Sequence, residues 1–267
     1  GLPFVGVGWY RLNFDAPSFA KGKKATLIFD GAMSHARVYV NGQEAGYWPY
    51  GYNTFYLDVT PYLKEGMMNT LAVRLENETE SSRWYPGAGL YRNVHVLSTE
   101  KIHVPVWGTQ ITTPHVGKDF ASVCLRTQIE GAGTKELTLV TDILSPEGKV
   151  VASKENKGHI NHGQPFTQNF LVANPSLWSP ESPALYQAVS KIYCEGKLTD
   201  TYTTRFGIRS IEFVADKGFY LNGQHRKFQG VCNHHDLGPL GAAVNKSALR
   251  HQLSLLKDMG CDAIRTA

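Results

Sequence analysis

A strand–helix–strand unit closes a chain that is otherwise built of strands, and this constrains the fold more than any other feature. NKSALRHQLSLLKDMG, residues 245–260, places Leu249, Leu253, Leu256 and Gly260 at helical spacing, with Leu255 and Met259 widening the apolar face. Asn245 stands where an N-cap belongs and Gly260 where a helix stops. RKFQGVC precedes this helix and CDAIRTA follows it. Such a βαβ unit implies parallel strands. Parallel sheets are normally covered on both faces, and a single crossover leaves one face and the edge of its last strand open. The expectation is a chain cut inside a third, α/β domain. The alternative is a small α+β cap that packs its helix on the preceding sandwich.

Before that unit the grammar is antiparallel. ATLIFD, ARVYV, TFYLDVT, NTLAVRL and RNVHVLS are short β-branched and aromatic runs separated by turn residues. A second set follows in KIHVPVWGTQIT, FASVCLRTQIE, KELTLVTDIL, QPFTQNFLV, ALYQAVSKIY and TYTTRFGI. Asn41-Gly42 and Asn222-Gly223 are hairpin turns by composition, because both residues tolerate positive φ. Ser145-Pro146-Glu147-Gly148 is a further turn. Evenly spaced short strands without helices predict two sandwiches, one in each of the first two hundred-residue stretches.

Composition narrows the function classes. Apolar residues make up 42% of the 267 and charged residues 19%, which excludes disorder, collagen and coiled coil. No run approaches the ~18 apolar residues of a membrane span. Net charge is +4, from 27 basic and 23 acidic residues, too even for an electrostatic nucleic-acid binder. Neither nucleic acid nor membrane is therefore expected as a partner. Cys124, Cys194, Cys232 and Cys261 form no CxxC pair, so no zinc site is expected. An immunoglobulin-style bridge between Cys124 and Cys194 is conceivable, but SVCLRTQI sets Cys124 opposite the face of Val123, Leu125 and Ile129, and free thiols are expected. GLPFVGVGWY shows no export signal. The compartment stays open, periplasmic or secreted if a signal lies upstream.

GVGWYRLNF, RVYVNGQEAGY, SSRWYPGAGLYRNVHV, LWSPESPALY, RFGIRSIEF, FYLNGQHRKFQGVCNHHD and LLKDMGCDAIRTA, in that order, resemble glycoside hydrolase family 2, its β-galactosidase branch above all. The resemblance covers nearly the whole chain. It implies a mainly β fold: a jelly-roll sugar-binding domain over 1–98 lacking its first strands, an immunoglobulin-like β-sandwich over 99–207, and the truncated start of a TIM (β/α)8 barrel over 208–267. It implies a retaining hydrolase of terminal β-galactosides in which both catalytic glutamates lie on later barrel strands, so no catalytic residue, cofactor or metal is expected in this chain. The fragment alone is then inactive, a carbohydrate is the partner of the parent enzyme, and homo-oligomerisation is left open. Two rivals stay open: a non-catalytic carbohydrate-binding or adhesion module, and β-glucuronidase or β-mannosidase specificity on the same scaffold.

The resemblance also nominates substrate-binding residues. Asn233-His234-His235-Asp236 follows a barrel strand, and active sites of such barrels gather at the carboxyl ends of strands. His234 and Asp236 match the family's sugar-contacting positions, whereas Asn233 stands where a basic residue is usual and His235 where an acidic one is. Without the resemblance the cluster reads equally well as a polar loop. A metal is not expected, since adjacent side chains of an extended segment point apart. Arg265 matches an arginine that faces the barrel mouth and supports the nucleophile; its alternative is a surface arginine. Arg83 belongs to a first-domain loop that reaches the active site in family members, with Trp84 and Tyr85 read either as sugar-stacking or as loop anchors. Arg205, Gly207, Arg209 and Trp178 are expected to be structural, Gly207 serving a tight bend.

Overall fold

The computed structural model describes residues 5–15, 22–81, 87–131, 135–160 and 164–266. The chain divides into two compact units, Gly1–Thr99 together with Gln229–Ala267, and Glu100–Phe228.

The first unit opens with seven strands: β1 (Gly6–Asp15), β2 (Lys24–Phe29), β3 (Ala36–Val40), β4 (Gln43–Trp48), β5 (Phe55–Asp58), β6 (Met68–Asn77) and β7 (Val94–Thr99). They form two antiparallel sheets, ordered β1-β6-β3-β4 and β5-β2-β7. Period-two alternation sends Leu27, Phe29, Val38, Val40, Val73 and Leu75 into the space between them. Phe55 stacks on Phe29 at 4.8 Å between ring centres. Asn41 and Gly42 turn the β3–β4 hairpin with φ of 52° and 83°, the primed turn that matches strand twist.

The second unit holds β8 (Thr109–Val116), β9 (Phe120–Thr127), β10 (Glu136–Leu144), β11 (Val150–His159), β12 (Phe166–Ala173), β13 (Tyr186–Cys194) and β14 (Lys197–Phe206), then β15 (Ile211–Val214), β16 (Gly218–Leu221) and β17 (Gln224–Arg226). Sheet orders are β11-β10-β13-β14, β12-β9-β8 and β15-β16-β17. Val123, Leu125, Leu137, Leu139, Ile143 and Ile192 have no exposed surface. The strand expected over KIHVPVWGTQIT begins only at Thr109, because a turn intervenes in which the Gly108 amide donates to the Pro105 carbonyl at 2.8 Å. β11 is a strand that hydrophobic alternation does not reveal: its Lys154, Glu155 and Lys157 are polar and its other positions are mostly exposed. Arg209 lies over the Trp178 ring at 4.6 Å. Gly207 is glycine for a different reason than a bend, since a Cβ there would sit 2.9 Å from the Trp178 side chain. All four cysteines are free.

The chain then adds β18 (Gly230–Asn233), the helix α1 (Lys246–Asp258) and β19 (Ala263–Thr266). β18 and β19 pair in parallel, Gly230 opposite Ala263 and Asn233 opposite Thr266. α1 is the one α-helix among the described residues, capped by the Asn245 side chain, which accepts from the amides of Ser247 and Ala248. None of its residues is buried.

Candidate functional site

The β18–β19 pair is held by close fit and by one aspartate. A Cβ on Gly230 would lie 2.5 Å from the Ala263 carbonyl oxygen, so only glycine lets the two backbones approach. Asp262 accepts from the Gln229 amide at 2.8 Å through Oδ1, and its own amide donates back to the Gln229 carbonyl at 2.9 Å. The chain leaving β18 then runs over the first sandwich. Ala242 is buried against Met33 and Tyr91, the Val244 amide donates to the Tyr91 carbonyl at 3.1 Å, and the Tyr91 hydroxyl donates to the Gly51 carbonyl at 2.7 Å.

This docking closes a cleft of about 380 Å³. Asp30, Thr54, Arg92 and Asn93 form one wall, and Asn233, His234, His235, Lys246 and Thr266 the other. Asp30 directly follows β2, where its amide donates to the Asn93 carbonyl at 3.0 Å and its Oδ2 lies 3.1 Å from His95 Nε2 on the adjacent strand. The Tyr52 and His235 rings meet in a T-shaped arrangement with 5.4 Å between their centres. His235 Nε2 is buried without a hydrogen-bond partner among the described residues, a state that usually costs stability unless function uses the group. Burial raises the Tyr52 hydroxyl pKa, with Tyr91 and Tyr50 adding to it, so Tyr52 remains a neutral hydrogen-bonding group across the physiological range. Planar donors and acceptors of this kind, set around an open cleft, suit a ligand rich in hydroxyl groups.

The structure brings together some of the nominated residues. Asn233 and His234 line the cleft, Asn233 half-buried with its amide donating to Gln252 Oε1 on α1 at 3.3 Å. Asp236 is exposed and does not belong to the cleft wall. Arg265 pairs with Cys232, one residue before the Asn233–Thr266 pair, so its side chain leaves the opposite face of the strand pair. It is exposed there. Arg83, with Trp84 and Tyr85, lies outside the described residues. Asp30, Thr54, Arg92 and Asn93 escape the sequence reading as site residues. Their one local signal is polarity directly at the boundary of an apolar strand, as in ATLIFD and YRNVHV.

Two family models match. The model described as glycosyl hydrolases family 2, sugar binding domain, covers residues 3–100, and that described as glycosyl hydrolases family 2 covers residues 103–209. This chain belongs to glycosyl hydrolase family 2. Among curated family members it is 43% identical over 97% of its length to the beta-galactosidase BoGH2A of Bacteroides ovatus, of which it spans 31%. It is 33% identical over 84% of its length to a beta-glucuronidase of Formosa agariphila, of which it spans 26%. A crystal structure of a family 2 member from Bacteroides cellulosilyticus superposes with a TM-score of 0.94 at 36% identity, covering 99% of this chain and 37% of the other. The chain thus spans about a third of the family 2 glycosidases it matches. Its mainly β fold with one helix near the end fits a family 2 sugar-binding domain and immunoglobulin-like domain followed by the start of a barrel.

Proposed function

We propose that this chain is the N-terminal part of a retaining glycoside hydrolase acting on terminal β-galactosides. The observation that carries the reading is the cleft, in which planar polar side chains at the carboxyl ends of two parallel strands face polar groups of the sugar-binding domain. Open α/β and barrel sheets bind ligands at that end. The galactoside is read first because a beta-galactosidase stands at 43% identity, three points above a relative named as a putative beta-glucuronidase at 40%.

Retention requires an acid that protonates the leaving oxygen and a carboxylate nucleophile about 5–5.5 Å away. Among the described residues Asp30 is the one carboxylate that lines the cleft, and it is engaged by His95. One carboxylate cannot serve both roles, so the proposal assigns the bond-breaking pair to residues beyond these 267. The chain's own contribution is orientation. Asn233 and His234 hold hydroxyls from the barrel side, and Arg92 and Asn93 from the other wall. Asp236 and Arg265, which lie off this cleft wall, and Arg83 are further proposed sugar contacts, Arg265 on the face of the strand pair turned away from α1, the inner face in a barrel. A β-glucuronide is the second reading. It is favoured by Arg92 and Lys246, which offer cations to a uronate carboxylate in the cleft.

The test compares the complete reading frame with the 267-residue chain on aryl β-galactoside and aryl β-glucuronide. The expected result is turnover of the galactoside by the complete protein, with the β-anomer released first, and none by the shorter chain. Preference for the glucuronide would select the second reading. Turnover by the 267-residue chain that vanishes in Asp30→Asn would show that the catalytic centre has been misplaced.

A further inference from the structure

The second unit carries an aromatic residue in a position that its fold does not favour. Trp107 is 62% exposed and sits at φ 58°. With the Gly108 amide bonded to the Pro105 carbonyl, Trp107 occupies the third position of a type II turn, where glycine is the ordinary residue. A bulky aromatic there is strained. Its neighbours fix the turn: a Cβ on Gly108 would meet Pro105 Cδ at 2.7 Å, and the Gly108 carbonyl accepts from the Gln128 amide at 2.7 Å.

Beside the indole lies a depression of about 170 Å³ lined by Thr109, Gln110, Arg126, Gln128 and Pro165. Gln110 pairs directly with Arg126 across β8 and β9, and Thr167 on β12 stands opposite Arg126 on the other side. The three side chains therefore emerge in one row on one sheet face, and all three are exposed. No carboxylate lines the depression among the described residues. An exposed indole bordered by a guanidinium and two primary amides has the chemistry that holds a pyranose, whose C–H face packs on the ring while its oxygens meet planar N–H donors.

We propose that this surface of the immunoglobulin-like unit is a glycan-binding site. One sugar ring stacks on Trp107, and its hydroxyl or carboxylate oxygens accept from Arg126, Gln110 and Gln128. The site goes beyond the hydrolytic reading and does not depend on which bond the complete protein cleaves.

The test uses the 267-residue chain labelled with ¹⁵N, titrated separately with a β-1,4-linked galactotetraose and a tetragalacturonate. Trp107→Gly identifies the Trp107 indole N–H resonance by its disappearance, and it restores the residue the turn prefers. Its thermal midpoint is therefore expected to equal or exceed the parent's. The indole resonance of Trp107 should shift saturably with one or both probes. Affinity should fall at least about tenfold in Trp107→Gly and stay close to the parental value in Trp107→Tyr. Arg126→Ala should weaken binding, most for the acidic probe if a carboxylate is the partner and equally if hydroxyls are. An indole resonance unmoved by both probes, or parental affinity in Trp107→Gly, overturns the proposal. So does a Trp107→Gly chain markedly less stable than the parent, which would make the indole a packing residue.

Discussion

Strand β10 and helix α1 carry apolar stripes of equal regularity, and they meet opposite fates. In β10, Leu137, Leu139 and Ile143 alternate with half-exposed neighbours and are themselves fully buried. In α1, Leu253 and Leu255 keep 43% and 52% of their surface exposed, and Met259 just beyond keeps 74%. A periodic stripe determines which face of an element is apolar. Burial needs a second surface, and the two sheets of the sandwich supply one for β10. The lone crossover between β18 and β19 covers α1 on one side only.

The largest effect expected from this contrast is a pair of truncations. Leu139→Ala should lower the unfolding free energy by about 2–5 kcal/mol, because it opens a cavity in a closed core. Leu253→Ala should stay within about 0.5 kcal/mol, since the side chain is exposed and alanine favours helix. Urea denaturation followed by far-UV circular dichroism measures both, and equal losses would break the comparison. Hydrogen exchange sharpens it: amides of α1 should exchange faster than those of β9, β10 and β13. Equal protection would mean that the helix docks as a complete element.

A smaller effect is expected where the last segment meets the first sandwich. Ala242→Leu overfills the space between Met33 and Tyr91 and should destabilise the docked form by about 1–3 kcal/mol. Faster proteolysis between residues 229 and 266, with the sandwich strands still protected, is the readout. Asn245→Ala removes the cap of α1 and should cost about 1 kcal/mol, confined to helix amides in exchange measurements.

Much of the fold is legible in the residues, and much less of the site. The two Asn-Gly hairpins, the helix with its Asn245 cap and the alternating strands follow from local chemistry that tertiary packing reinforces. The cleft does not. Asp30, Arg92 and Asn93 are distant in sequence from Asn233 and His234, and they meet because Ala242 and Val244 dock on Tyr91. No local pattern encodes that docking. Gly207 teaches a similar lesson, since the residue is recognisable as constrained while its reason, the Trp178 indole, is 29 positions away.

The smallest predicted effect lies in the second unit. Arg226 donates to both Glu181 oxygens, at 2.6 and 3.2 Å, and holds the carboxyl pKa down to about 2, assisted by a backbone hydrogen bond. A depressed carboxylate favours the fold above the ordinary carboxylate range, and that contribution is lost as pH falls through about 2. Glu181 is solvent-exposed, so the gain is slight. An NMR titration should place its midpoint near 2, returning to the usual range in Arg226→Met. An unchanged midpoint would remove the pair from any account of the second unit's stability.

The polarity that hides β11 from a hydrophobic reading also has a bearing on solubility. β11 forms one outer edge of the four-stranded sheet β11-β10-β13-β14; apart from the Lys154 carbonyl, which accepts from Gln168 Nε2 at 3.2 Å, its outward backbone groups form a row that another chain could pair with. Lys154, Glu155 and Lys157 stand along that edge. An incoming strand would have to align against charges projecting on both faces, and it would leave them poorly hydrated. Replacing these residues with β-branched apolar ones would make β11 obvious in the sequence and turn the edge into a template for aggregation.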